Sequence, residues 1–207
     1  MNKYKTEQEM FWAGHFGDDY IFRNNNKELF AANLNLFDEI LCRTKNVITI
    51  LELGANIGMN ILAINNLLPN SMTSAVEINS KAFEQLKSTC TGRAYLASIL
   101  DIDAKIKNQY DFVFTKGVLI HINPDELQKV YEVMYKLSKK YICVAEYYNP
   151  SPMTLEYRSK KNKLFKRDFA GELLDKYKDL ELIGYGFKYR RDNNYPQDDI
   201  SWFLLKK

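Results

Sequence analysis

Apolar and polar positions alternate along this chain in two distinct periods. Over residues 27–42, Phe30, Leu34, Phe37 and Leu41 recur at three- and four-residue steps, which predicts a helix with one buried face. Residues 47–51 form a short β-branched run, suited to a strand buried on both faces. A helical stretch over 59–68 follows and stops at Pro69. A strand near 74–77, a helix near 81–89 and strands at 94–97 and 112–114 come next. Pro124 opens a further helix, in which Leu127, Val130, Tyr131, Met134 and Leu137 keep helical spacing. Residues 141–145 read as another buried strand and 169–177 as a helix. Strand candidates at 180–189 and 201–205 have no helix between them, which predicts an antiparallel hairpin. The pattern is α/β: a doubly wound, mostly parallel seven-stranded sheet ending in that hairpin.

Composition narrows the class. The 207 residues, 46% hydrophobic and 27% charged, fit one globular domain over 1–207 and exclude a disordered or low-complexity chain. No apolar run reaches the roughly 18 residues of a spanning helix, and the opening lacks the apolar core of a signal peptide. Net charge is +3, too even to demand a polyanionic partner. Cys42, Cys90 and Cys143 stand far apart and form neither a metal-type cluster nor a disulfide framework. The expectation is a reduced, cytoplasmic protein with no metal site and no membrane contact.

The informative segment runs from Ile50 to Gly58 (ILELGANIG), between a buried strand and a helix, where open parallel sheets bind ligands. Gly54 permits a tight turn and a close backbone approach, and Gly58 lets the following helix pack on the strand. Glu77 ends the next strand and is placed to accept both hydroxyl hydrogens of a ribose. A dinucleotide site wants Gly-x-Gly-x-x-Gly around a pyrophosphate. Here the loop lacks that pattern, and the acidic Glu52 beside it repels phosphate. A ligand with a positive end suits Glu52, and S-adenosylmethionine carries a sulfonium and an ammonium.

Residues 52–58 resemble the first motif of class I S-adenosylmethionine-dependent methyltransferases, and Glu77 that family's acidic ribose position. Asn56 stands where many members have a middle glycine, and Asn tolerates the left-handed backbone region. The resemblance implies a Rossmann-like methyltransferase fold. It places Gly54 and Asn56 at the methionine and ribose parts, Ile78 after the ribose acid, Ile99 and Leu100 at the adenine, and Ser98 or Asp101 at its amino group. It also sets Lys116 and Gly117 along the methionine part and turns His121 toward the acceptor. The run Thr115-Lys116-Gly117-Val118 replaces the Asn/Asp-Pro-Pro-aromatic segment of many adenine- and amide-directed enzymes. His121 is then the candidate general base, with packing under the next helix as the plain alternative.

The opening is dense in aromatic residues, and exposing Phe11, Trp12, Phe16, Tyr20 and Phe22 together is unfavourable. The resemblance to class I methyltransferases implies that residues 1–26 cap the pocket, with Trp12, Tyr20 and Arg23 as the capping residues and Arg23 gripping a carboxylate or phosphate; packing against the first helix is the plain alternative. Residues 11–20, with Arg23 and Asn24, resemble the methylases associated with pseudaminic acid biosynthesis, as do 51–60 and 116–124. That resemblance implies a cytoplasmic enzyme and a carboxylate-bearing sugar acceptor, a nonulosonic acid or its CMP-activated form. Glu146 and Tyr147, ending the fifth strand, are expected on the acceptor side. The basic run over 157–169, with Arg158, reads as a loop that attracts an anionic sugar nucleotide, as a nucleic-acid face, or as a solvated loop. An RNA or protein methyltransferase, a NAD-binding oxidoreductase and a silent nucleotide-binding module remain alternatives. Oligomeric state is open.

Overall fold

In the computed structural model, residues 4–23, 26–158 and 160–207 are described; Asn24 of the aromatic opening and Ser159 of the basic run lie outside them. The order is α1 (Glu7–Ala13), α2 (His15–Ile21), α3 (Lys27–Leu41), β1 (Thr49–Leu53), α4 (Met59–Leu67), β2 (Met72–Glu77), α5 (Ser80–Thr89) and β3 (Ala94–Leu96). Then come α6 (Ile102–Lys105), β4 (Tyr110–Lys116), α7 (Leu127–Leu137), β5 (Ser138–Glu146), β6 (Met153–Tyr157), β7 (Lys160–Lys166), α8 (Phe169–Lys176), β8 (Glu181–Lys188) and β9 (Ile200–Lys206). Seven strands make one sheet in the order β3-β2-β1-β4-β5-β9-β8. The first five are parallel, and β9 lies antiparallel to both β5 and β8.

Alternating side chains feed two cores. Leu51, Leu53, Val113, Ile142 and Val144 face Val130, Met134 and Leu173 on α7 and α8. Ile50, Phe112, Phe114, Cys143 and Trp202 face Phe37, Ile40, Ile61 and Leu86 on α3, α4 and α5. Burial on both faces is why the central strands read as continuous apolar runs. The first of these strands starts two residues later than the pattern predicted. Ile48 is exposed, and its N–H and that of Thr49 donate to Asp111 Oδ2 at 3.0 and 3.1 Å, anchoring the entry to β1. No helix among the described residues is long and apolar enough to cross a membrane.

Two regions depart from expectation. The basic run is not a loop: β6 and β7 pair antiparallel as a separate two-stranded sheet. Leu164 and Phe165 are buried, and Lys163 is only 4% exposed, with Nζ 2.6 Å from Glu7 Oε1 on α1. Charged stems cover apolar surface while the strand pairs, so lysine density hid the β pattern. The aromatic opening, with weak periodicity, forms two one-to-two-turn helices. Thr6 and Glu9 cap α1 reciprocally, Glu9 N–H donating to Thr6 Oγ1 at 3.1 Å and Thr6 N–H to Glu9 Oε2 at 3.0 Å.

Candidate functional site

The carboxyl ends of β1, β2 and β4 open onto a cavity of about 260 Å³, the scale of a small-molecule site. Its floor is the glycine loop. Gly54 has φ +81°, and its N–H and that of Ala55 donate to the Val76 carbonyl at 2.9 and 3.0 Å. A Cβ at Gly54 would stand 2.7 Å from Val118 Cγ2, so the position is closed to any side chain. Asn56 takes φ +50°, as its residue type allows, and its side-chain oxygen accepts from Ile57 N–H at 2.7 Å.

Glu77 ties the loop to the next strand. Its carboxylate accepts from Asn56 N–H and Asn79 N–H, both at 2.7 Å. Burial pushes its pKa up against those bonds. It lines the cavity beside Ile78, Ser98, Ile99 and Leu100, the last three on a turn fixed by Leu100 N–H donating to Ser98 Oγ at 3.1 Å. Asp101, the alternative to Ser98, points outward and pairs with Lys5.

On the opposite side, Lys116 and Gly117 end β4, and Val118 begins a turn that carries His121. Glu146 holds this turn. It accepts from the N–H groups of Val118, Leu119 and Ile120 at 3.0–3.4 Å and is pushed up to about 7 by its burial. His121 Nδ1 donates to the Lys163 carbonyl at 2.6 Å, and burial pushes the ring down to about 4, so it is neutral. The ring packs between Trp12 and Tyr157, with centroid separations of 4.6 and 4.9 Å. Trp12, Tyr20, Tyr147 and Tyr157 complete an aromatic wall.

The cap is latched at both ends. Asn79 Nδ2 donates to Asp18 Oδ1 at 2.9 Å and to the Trp12 carbonyl at 3.3 Å, and Asp18 pairs with Lys81 at 2.6 Å. Gln8 Nε2 donates to the Asn162 carbonyl at 3.1 Å.

Five expected contacts are corrected. Glu52 is fully buried under the loop, not on the cavity; Oε1 accepts from Asn60 Nδ2 at 2.6 Å, Oε2 has no partner among the described residues, and burial pushes the acid up to about 8. Gly58, at φ +89°, caps α4 and packs near Leu86 rather than lining the cavity. Glu146 works through backbone N–H groups and has no face on the cavity, which makes it a positioning residue. Arg23 is exposed on the outer side of the cap, its guanidinium 5.2 Å from the Phe16 ring. Arg158 is exposed at the β6–β7 turn, against Tyr157. Both arginines stack on aromatic rings instead of facing the cavity.

The sequence reading missed Asn33, Asn60, Asn79, Gln197 and Asp198, which line the cavity from α3, α4, the start of α5 and the β8–β9 connection. Asn60 had a local signal, two residues past Gly58 in the first turn of α4. Asp198 had none, because its place depends on how β9 returns to the sheet.

No known protein family matches the chain, and no curated protein matches it in sequence. Solved structures do match in shape. The Burkholderia thailandensis 1,6-didemethyltoxoflavin-N1-methyltransferase, with its substrate and S-adenosylhomocysteine bound, superposes with a TM-score of 0.71 at 11% identity over 100% of this chain and 93% of that one. The Synechocystis PCC 6803 magnesium protoporphyrin IX methyltransferase with S-adenosylmethionine gives 0.66 at 8% identity, over 100% of both chains. An S-adenosylmethionine-dependent methyltransferase from Clostridium acetobutylicum ATCC 824 gives 0.62 at 11% identity, over 92% and 97%. At such identities the likeness defines the fold: this chain has the α/β Rossmann-like fold of the class I methyltransferases, with its seven-stranded sheet and antiparallel end.

Proposed function

We propose that residues 1–207 are one S-adenosylmethionine-dependent methyltransferase domain, capped by its first 26 residues and acting on a small acceptor in the cytoplasm. One observation carries this reading. The carboxylate of Glu77 lies on the cavity floor between the Gly54–Asn56 loop and the Ser98–Leu100 turn. The residues fit the group: an acid for the ribose hydroxyls, a side-chain-free glycine turn for close approach, and apolar Ile99 and Leu100 for a flat base. Fold neighbours with the bound cofactor or its product support it.

The cofactor supplies a methyl group already activated on a sulfonium, so the protein's share is positioning and exclusion of water. The Trp12, Tyr20, Tyr147 and Tyr157 wall would cover the reacting end of the bound cofactor. His121, with Nδ1–H committed to Lys163, offers Nε2 as the proton acceptor for an acceptor hydroxyl or ammonium. The resemblance of residues 11–20, 51–60 and 116–124 names the acceptor to try first, pseudaminic acid or its CMP-activated form. The faces of a sugar ring suit an aromatic wall.

Isothermal titration with S-adenosylhomocysteine and with NAD tests the cofactor. Binding of the former alone is expected, and binding of NAD alone overturns the reading. Methyl transfer from labelled S-adenosylmethionine to nonulosonic acids, with RNA as the comparison, tests the acceptor. Label in RNA alone would replace the sugar reading.

A further inference from the structure

We propose that Lys116 is the carboxylate-binding residue of this cavity, holding an anionic end of the bound ligand from the β4 edge. The inference rests on the cofactor reading above. Three features of the site carry it.

The first is uniqueness. Among the described residues that line the cavity, Lys116 is the one lysine, and no arginine joins it. With Arg23 and Arg158 stacked outside, Lys116 is the lysine or arginine that the described lining offers to an anionic group.

The second is its lack of a partner. Nζ makes no ion pair or hydrogen bond with a described residue. It nevertheless sits half-buried, where burial pushes its pKa down and Asp198 on the cavity wall works the other way. Holding a cation away from water with no direct partner is costly, and a ligand carboxylate removes that cost through a short charge-assisted bond.

The third is room. β1 and β4 are in parallel register with Glu52 opposite Phe114, so Lys116, two residues on, shares the sheet face of Glu52 one step nearer the opening. Gly117 follows at φ +65°, and a Cβ there would meet nothing within 4 Å. Beside it Gln197 is buried and clamped, Nε2 donating to Asn33 Oδ1 at 3.0 Å, which fixes the far wall.

Two carboxylates have this chemistry: the amino-acid end of S-adenosylmethionine, and an acid group on the acceptor. Lys116→Met removes the charge and keeps the stem, Lys116→Arg restores a cation, and melting curves confirm that both fold. Each is titrated with S-adenosylhomocysteine and with 5′-methylthioadenosine, which keeps the nucleoside and lacks the carboxylate. If the cofactor is the source, Lys116→Met weakens S-adenosylhomocysteine about tenfold or more, Lys116→Arg recovers most of it, and 5′-methylthioadenosine is unchanged. If the acceptor is the source, both nucleosides bind as before. In that case KM for a carboxylate sugar rises about tenfold or more in Lys116→Met, while KM for its methyl ester does not. Equal weakening of both nucleosides, or no change in either nucleoside or acceptor, overturns the assignment. A wild type that binds neither nucleoside sinks the cofactor reading itself, and is told apart because the failure then precedes any substitution.

Discussion

His121 Nδ1 lies 2.6 Å from the carbonyl oxygen of Lys163, so the proton of the ring is committed to the β6–β7 hairpin and Nε2 keeps its lone pair. Burial holds the ring neutral down to about pH 4. Turnover is therefore expected to stay level as pH falls through 6.5 and to decline only near 4. A kcat profile with its acid limb at the ordinary histidine value overturns this. His121→Ala is expected to slow turnover at least about tenfold, the lower reach of general-base effects, and to leave S-adenosylhomocysteine affinity unchanged.

Glu146 serves three backbone N–H groups at once. Glu146→Ala leaves them buried without an acceptor, at a cost of about 3 kcal/mol or more. Glu146→Gln keeps one accepting oxygen and should cost less than half of that. Urea melts of the two variants separate them; equal stability would mean the turn is held by something else.

Glu52 gives a pH signature. Its carboxyl is at about 8 in the folded chain against an ordinary 4.5, so the folded state binds the extra proton between those values. Stability is then present in full below about 4.5 and declines as pH rises toward 8. Glu146, pushed up to about 7, adds to the same decline, and the buried His121, lowered to about 4, adds the opposite slope between about 4 and 6.5. Melting temperature should peak at mildly acid pH. Glu52→Gln should flatten the alkaline side, melting higher than wild type at pH 8 and close to it at pH 5. A parallel decline in both proteins counts against a protonated Glu52.

Gly54→Ala forces a Cβ to 2.7 Å from Val118 Cγ2 at φ +81°. Affinity for S-adenosylhomocysteine should drop about tenfold or more, since the loop must move. Adding Val118→Ala relieves the clash but not the backbone strain, so recovery should be partial. Full recovery assigns the whole effect to Val118, and none assigns it to the backbone.

Most of the fold was legible because its signals are local. The 3.6-residue stripe of α3, the proline stops and the β-branched runs of β1 and β5 each declare their element without help from distant residues. The glycine loop and Glu77 were legible for the same reason. The rest depends on long-range placement. Arg23 reads as an anion grip by chemistry alone, yet the turn of α2 carries it to the outside of the cap. Glu52 and Glu146 read as site acids, yet Glu52 lies one residue short of the end of β1 and Glu146, at the end of β5, is turned to the N–H groups of Val118, Leu119 and Ile120. The β6–β7 hairpin was hidden because lysines outnumber apolar residues in β7, and the buried apolar pair Leu164 and Phe165 is adjacent rather than alternating, so no period of two appears.

The double latch of the cap has a consequence for how the chain acquires its shape. Asp18 meets Asn79 across 61 positions of sequence, and Gln8 meets Asn162 across 154. The cap therefore closes only through contacts distant in sequence, and a substitution at either latch, on α5 or on the β6–β7 hairpin, loosens it without touching the cavity floor.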